Sequence, residues 1–269
     1  MQITEINVYP VKSLRGSSVS EALIGAHGLE NDRRWMLVDA EGKKLTQRER
    51  PRLALLVPRV EDGHLRVRVP AASDIVVLLD DSSWSDERVT VDLWGHERTG
   101  VAAVDAVNRA FSDAVGASCR LLELSNGESG ASEAPFHDDA PLLVISQSSL
   151  DELNRRLPAP VPMNRFRPSV VVAGSAPFEE DQWQRMAIGE TEFSAVKICV
   201  RCSITTVDQA EGEFRGPEPL KTLATFRRLE QNVAFGAYFR PERAGAKLRV
   251  GDDLRVLETK AVAPSIETR

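Results

Sequence analysis

The sequence predicts a mainly β protein with a few helices, built as two abutting or interleaved lobes and without a parallel βαβ sheet. Three observations point there. Between residues 53 and 101, short β-prone segments alternate with turn signals such as Glu61-Asp-Gly63, a spacing that suits an all-β barrel or sandwich. Two apolar runs, Pro141-Leu-Leu-Val-Ile-Ser146 and Ser169-Val-Val-Val-Ala173, read as buried strands. Helical period is rare and clearest over 102–115, where Val104, Val107, Phe111 and Val115 recur every three to four residues.

Taken in order, Ile3 to Tyr9 is a first strand, broken by Pro10 into a loop that carries Lys12, Ser13 and Arg15. Ser18 to Ile24 is a short strand, and His27 to Arg34 is a turn leading into the apolar strand Trp35 to Asp39. Glu41-Gly42 closes a hairpin with 44–46, and Gln47 to Arg52 is a basic loop. Strands follow at 53–60, 64–69, 75–79 and 88–93, then the helix at 102–115. Arg120 to Leu124 is a strand, and the Gly-, Ser- and Ala-rich stretch 125–135 is a loop. A helix is expected over 148–157, capped by Ser148 or Ser149, with Leu150, Leu153 and Leu157 on one face. Leu220 to Leu229 reads as a third helix; 236–240 and 247–250 read as closing strands, and 258–269 as a frayed tail.

Composition narrows the function classes. Hydrophobic residues make up 42% and charged residues 28% of 269, ordinary for a globular chain. A formal net charge of −6 argues against binding nucleic acid through its phosphates. Three cysteines give no disulfide framework. The first eight residues alternate like a strand rather than a signal peptide, and no apolar run reaches the length of a membrane span. The expectation is a soluble, cytoplasmic protein with no membrane partner.

The stretch Lys197-Ile-Cys-Val-Arg-Cys-Ser-Ile-Thr-Thr-Val-Asp208 holds two of the three cysteines. The β-branched run after Cys202 predicts a strand over 203–207, with Cys202 at its mouth and Arg201 beside it. A neighbouring cation favours thiolate, the form that binds metal or attacks. A zinc ribbon would need further ligands at the right spacing, but Cys119 and the four histidines (His27, His64, His96, His137) are scattered singly. A thioredoxin-like motif should open a helix. Two buried cysteines acting as small hydrophobes remain the plain alternative.

Four loops bring charge to strand ends: Lys12/Ser13, Arg33/Arg34, Asp138/Asp139 and Arg165/Arg167. In an acidic chain, basic groups so placed point to an anionic ligand, with Arg as a bidentate fork and Lys as a point charge; the plain alternative is solvated side chains. No glycine-rich phosphate loop occurs. Asp138-Asp139 is either a turn before Pro141 or a carboxylate pair able to donate protons.

Several ordered motifs carry a resemblance: Tyr9-Pro-Val-Lys-Ser13, Gly28-Leu-x-x-Asp32-Arg33-x-Trp35, Thr46-x-Arg48-x-x-Pro51-Arg-Leu53, Phe136-x-Asp138-x-x-Pro141, Asn164-x-Phe166-Arg167-Pro168, Cys199-x-Arg201-Cys202-x-x-Thr205-Thr206-Val207-Asp208, Phe235-Gly-x-Tyr238 and Val250-Gly-Asp252. The chain resembles the MOSC superfamily in its longer form, that of the mitochondrial amidoxime-reducing component and its bacterial relatives. The resemblance implies an N-terminal β-barrel domain over 1–115 and a MOSC-type β-barrel domain over 116–258, followed by a flexible tail over 259–269.

It also implies molybdenum cofactor (molybdopterin), with Cys202 as the molybdenum ligand, soft sulfur suiting a metal already held by a dithiolene. Lys12, Ser13, Arg33 and Arg167 match positions that hold the cofactor, chiefly its anionic end, and Arg201 adjoins the metal ligand. Asp138 matches an aspartate near the metal and is the candidate catalytic proton relay beside Cys202. Asp139 and Ala140 fall in the cofactor-contacting loop, and Ser169 stands where animal relatives have asparagine. The implied activity is reduction of small N-hydroxylated compounds, base analogues among them. The chain carries neither a C-terminal iron–sulfur domain nor an aminotransferase-like domain, so electrons are expected from a separate ferredoxin- or flavoprotein-type donor. The alternative is a carrier of cofactor or sulfur without turnover. In either case Lys12, Ser13, Arg33 and Arg167 should converge in one pocket, with Cys202 facing it and Cys199 structural.

Overall fold

The computed structural model describes residues 1–269 except 26, 94, 125–135, 137–139, 261–265 and 268–269. The protein is mainly β with three α-helices among the described residues. Its centre is a ten-stranded sheet. Eight strands neighbour one another in the order Ser17–Val19, Gln2–Val8, Val170–Ala173, Leu142–Ser146, Asn232–Pro241, Thr191–Val200, Trp183–Ile188 and Leu254–Thr259. Arg228–Leu229 and Ile266–Glu267 extend it from Asn232–Pro241. Both faces of its middle strands are covered. Leu142, Val144, Val170 and Val172 enter one apolar cluster; Leu143, Ile145 and Val171 enter another, because successive side chains in a strand point to opposite faces. That double burial is why these strands are unbroken apolar runs.

The sheet is open in its ladder order but curls. Ile3 N–H donates to Asp252 O (3.0 Å), Leu254 N–H to Met1 O and Gly251 N–H to Ile3 O (both 2.8 Å). The expected closed barrels are therefore not formed by continuous ladders; a few loop bonds join the rim instead. One expectation is corrected outright. Leu142–Ser146 runs parallel to Val170–Ala173, with the helix Gln147–Arg156 between them, so the sheet contains one βαβ crossover. A parallel neighbour needs such a connection, and the amphipathic helix supplies it. Its cap is Ser146, whose side chain accepts from Ser149 N–H, rather than Ser148 or Ser149.

The second lobe holds a four-stranded sheet ordered Trp35–Val38, Arg120–Leu124, His96–Ala103, Trp84–Leu93, and a three-stranded one formed by Val57–Glu61, His64–Arg68 and Ile75–Leu78. Trp35 and Leu37 face one cluster with Phe111 of the helix Asp105–Val115, while Met36 and Val38 face another with Phe136. Residues 53–55 form part of the 3-10 turn Pro51–Leu55 rather than the start of a strand. Likewise the third helix stops at Phe226, and 228–229 pair as strand.

The lobes interleave. Gln2–Val8, the first strand of the chain, pairs with Val170–Ala173, and Glu21–Gly25 pairs with Lys247–Arg249. Conversely, Arg120–Leu124 sits in the four-stranded sheet, beyond the boundary expected at 115. The residues expected as tail begin inside the strand Leu254–Thr259. No helix among the described residues is long and apolar enough to cross a membrane.

Candidate functional site

A cleft of about 280 Å³ opens where the lobes meet. Lys12, Ser13, Arg33, Arg48, Arg167, Arg201 and Cys202 line it, with Leu143, Phe166, Cys199, Val200, Ile204 and Tyr238. Five of these side chains are cationic and none is a carboxylate, in a chain whose net charge is −6. Such a cluster concentrates positive potential and favours an anion.

Lys12, Arg167 and Arg201 are held by backbone carbonyls, and Arg33 by a carboxylate. Lys12 N–H donates to Trp35 O (2.7 Å), and its Nζ donates to Phe136 O (2.9 Å). Arg167 Nη1 donates to Leu14 O (2.7 Å), and Arg33 pairs with Asp32. Ser13, Arg33 and Arg167 have φ of 65°, 51° and 54°. Left-handed backbone at non-glycine residues is uncommon and costs energy, so it persists only where surrounding contacts fix it. Those contacts are visible at Ser13. Its carbonyl accepts from Gln47 Nε2 (2.8 Å), and Gln47 Oε1 accepts from Gln209 Nε2 (2.8 Å), all buried.

Tyr9 lies behind the cationic wall. The guanidinium carbons of Arg33 and Arg167 each stand 4.3 Å from its ring centroid. Its hydroxyl donates to Pro168 O (3.0 Å), and Asp32 Oδ1 accepts from its N–H (2.7 Å). Burial pushes the Tyr9 phenol up to about 12, outweighing the pull of Arg167 and Arg33 toward phenolate. Burial also works against the charge of Arg33, but Asp32 and Tyr9 beside it leave its pKa above the ordinary value.

The thiol side is built by the strand Thr191–Val200, which ends two residues before Cys202. Pairing with Asn232–Pro241 shifts register between Ile198 and Val200, a bulge that re-aims the chain next to the cleft. Cys199 is 1% exposed and packs in the apolar cluster with Phe166 and Phe235; Cys202 is exposed. Of the strand expected at 203–207, only Val207 enters one (Val207–Asp208); Ser203–Thr206 is a 3-10 turn. Thr205 Oγ1 donates to Cys202 O (3.0 Å) and Thr206 Oγ1 to Ser203 O (2.7 Å). Hydroxyls bonded back to the main chain compete with a sheet ladder, which overrides the β-branched composition. Arg201 is not simply beside Cys202: its Nη1 donates to Cys199 Sγ (2.8 Å) and its Nη2 to Phe166 O (2.6 Å). Burial opposes its charge, and Cys199, Tyr238 and Cys202 more than offset that. Its Nε is buried without a hydrogen-bond partner.

Of the expected residues, Lys12, Ser13, Arg33, Arg167, Arg201 and Cys202 come together from four loops. Ala140 and Ser169 do not line the cleft. Ser169 is fully buried, and its Oγ accepts from Leu143 N–H (3.2 Å), so its side chain serves the sheet. Asp138 and Asp139 lie outside the described residues. Sequence reasoning gave no role to Phe166 and Tyr238, although both stand in the family motifs, and took Arg48 as a weaker candidate for the anion pocket, which it does line. Val200 and Ile204 carried no signal beyond adjacency to the cysteines.

Comparison with known proteins adds context to this geometry. Residues 1–118 match the family model of the MOSC N-terminal beta barrel domain, and residues 131–255 that of the MOSC domain. The chain is 34% identical over 277 residues to mitochondrial amidoxime reducing component 2 of Rattus norvegicus, covering 93% of this chain and 81% of that protein. It is 32% identical to mitochondrial amidoxime-reducing component 1 of Mus musculus, covering 95% and 82%. It is also 33% identical to the molybdenum cofactor sulfurase of Oryza sativa subsp. japonica, covering 88% of this chain but only 32% of that larger protein.

Proposed function

The chain belongs to the MOSC family, in the form that sets a MOSC N-terminal β-barrel domain before the MOSC domain, and from that premise we propose that its cleft binds molybdenum cofactor and reduces N-hydroxylated compounds. The observation that carries this reading is the cleft itself: five cations, no carboxylate among the described lining residues, and one exposed thiol at the rim. The donor set fits a pterin that brings its own phosphate and dithiolene. Among the described residues, no three His, Cys, Asp or Glu side chains gather as a metal site, so a metal on Cys202 would take its remaining ligands from the cofactor.

In this reading Lys12, Ser13, Arg33 and Arg167 bind and orient the anionic end, and Arg48 adds charge to the same wall. Cys202 supplies the protein's thiolate. Leu143, Phe166, Val200 and Ile204 form the apolar part of the lining and limit the water that reaches the bound group. Arg201 fixes the Phe166 carbonyl and the Cys199 sulfur, and so two of the segments that line the cleft. Asp138 is proposed as the proton relay and Asp139 as a backbone contact. When bound, the cofactor supplies a two-electron centre able to accept oxygen from an N–OH group. Electrons come from a separate redox protein, and two protons accompany them to release water.

A second reading has one observation in its favour, the similarity to a molybdenum cofactor sulfurase: the protein carries cofactor or sulfur without turnover. Holo-protein from a cofactor-competent host, assayed with reduced benzyl viologen and benzamidoxime, separates the two. A reductase consumes dye with amidoxime present. Bound molybdenum without dye consumption supports the carrier, and protein without molybdenum or oxidised-pterin fluorescence overturns both.

A further inference from the structure

The cationic wall of the cleft leans on a residue that does not line it. Tyr9 is 3% exposed, yet its ring contacts two of the five cations. Because the guanidinium carbons of Arg33 and Arg167 each stand 4.3 Å from the same ring centroid, they lie no further apart than twice that distance. Both also line the same cleft, so one tetrahedral oxyanion there can accept from both forks. We propose that Tyr9 is the positioning residue of an oxyanion clamp: its buried ring holds Arg33 and Arg167 so that both donate to one phosphate-type anion. The inference rests on the reading of the cleft as the seat of an anionic group, and it concerns the protein's own side chains.

Independent contacts lock the arrangement. Asp32 accepts from Tyr9 N–H with one oxygen and pairs with Arg33 through the other. Arg33 N–H donates back to Tyr9 O (2.9 Å). The Tyr9 hydroxyl holds Pro168 O, the carbonyl directly after Arg167. Gly16 presses on the ring: a Cβ there would lie 2.2 Å from Tyr9 Cε1. A guanidinium stacked on a ring is attracted by its π face and keeps its N–H edge available for an anion. A phenol kept neutral by burial adds no negative charge beside either guanidinium. The geometry would serve a free phosphate as well as the phosphate of a pterin.

The test uses the full chain purified from a host that makes no pterin cofactor. Sodium phosphate is titrated calorimetrically at fixed ionic strength, below the melting temperature of every variant. The wild type should bind, and Arg33→Gln or Arg167→Gln should lose binding. Tyr9→Leu should bind about tenfold more weakly, in line with the loss of two cation–π contacts. Tyr9→Phe keeps the ring and should stay within about threefold of wild type, although its melting temperature falls with the lost bond to Pro168. Gly16→Ala displaces the ring without touching an arginine and should weaken phosphate as Tyr9→Leu does, which covers the case in which Tyr9→Leu does not fold.

Wild-type affinity in folded Tyr9→Leu or Gly16→Ala would overturn the clamp and leave the anion cleft standing. Equal losses in Tyr9→Phe and Tyr9→Leu would assign the effect to the hydroxyl and overturn the role of the ring. Wild-type protein that ignores phosphate but retains molybdenum in a cofactor-competent host would overturn this inference alone. Failure of both measurements would remove the cofactor reading with it.

Discussion

Cys199 and Cys202 stand three residues apart and meet opposite surroundings. Cys199 points into the cluster of Phe166, Phe226 and Phe235, while Cys202 is exposed at the cleft. Alternation along one strand would give this split, but here it has another cause. The strand ends at Val200, and Cys202 opens a 3-10 turn. Cys202→Ser should therefore abolish molybdenum retention with little change in melting temperature, because a hydroxyl stays protonated where a thiolate ligates. Cys199→Ser should keep most of the metal and lose about 1–2 kcal/mol of stability, the cost of a polar group in an apolar site. Metal per chain and thermal melts of both variants check the pair; metal lost from Cys199→Ser but kept by Cys202→Ser reverses the assignment. The charged wall was legible residue by residue through its motifs. The part of Tyr9 was not, because nothing in a lone Tyr before Pro10 says that two arginines distant in sequence will stack on it.

At the scale of elements, the strand Asn232–Pro241 shows how a local irregularity builds the site. Gly236 has φ of 83°, and a Cβ there would lie 2.7 Å from Ile145 Cγ1 and 3.0 Å from Val144 O. It sits at the register shift opposite Ile198 and Val200. Gly236→Ala should cost at least about 2 kcal/mol, combining left-handed strain with a core clash, and urea unfolding measures it; a loss under half of that would mean the backbone relaxes freely. Beneath the helix Gln147–Arg156, Glu180 is fully buried and accepts from Ser146 N–H (3.2 Å) and Ser149 Oγ (2.9 Å). Burial, helped by Asp181, pushes its carboxyl up to about 7. A pKa raised on folding means the native state binds the proton more tightly. The contribution is then fully present below the unfolded value of 4.5 and is lost as pH rises through 7. A rise from 4.5 to about 7 corresponds to about 3 kcal/mol. Stability should fall across that window in wild type and stay flatter in Glu180→Gln; equal slopes in urea titrations at several pH values would refute the assignment. Strands with strong apolar runs were readable. The start of the helix Asp105–Val115, the end of the helix Leu220–Phe226 and the 3-10 turns were not, because local main-chain and hydroxyl bonding decides them rather than periodicity.

At the scale of the molecule, a mainly β fold and two lobes were legible from turn spacing and apolar runs, but whether the lobes abut or interleave was not. Pairing between residues separated by most of the chain leaves no local signature. Gln2–Val8 looks like any edge strand, yet it covers Val170, Val171 and Val172, each fully buried. Ile3 and Met1 also bond to the 251–254 segment at the far rim of the same sheet. From the other direction, Arg120–Leu124 completes the N-terminal sheet between Trp35–Val38 and His96–Ala103. Neither lobe can then lose its structure without stripping a strand from the other, and an unpaired strand edge exposes backbone groups that the native sheet satisfies. The whole chain should unfold in urea as one transition, with far-UV circular dichroism and tryptophan fluorescence superimposing, since Trp35 and Trp183 report on the two lobes and are both fully buried. A fragment of residues 116–269 should show no cooperative transition by itself and should regain one when residues 1–115 are co-expressed. Two separated transitions in the whole chain, or a fragment 116–269 that melts cooperatively alone, would show that the shared strands do not couple the lobes.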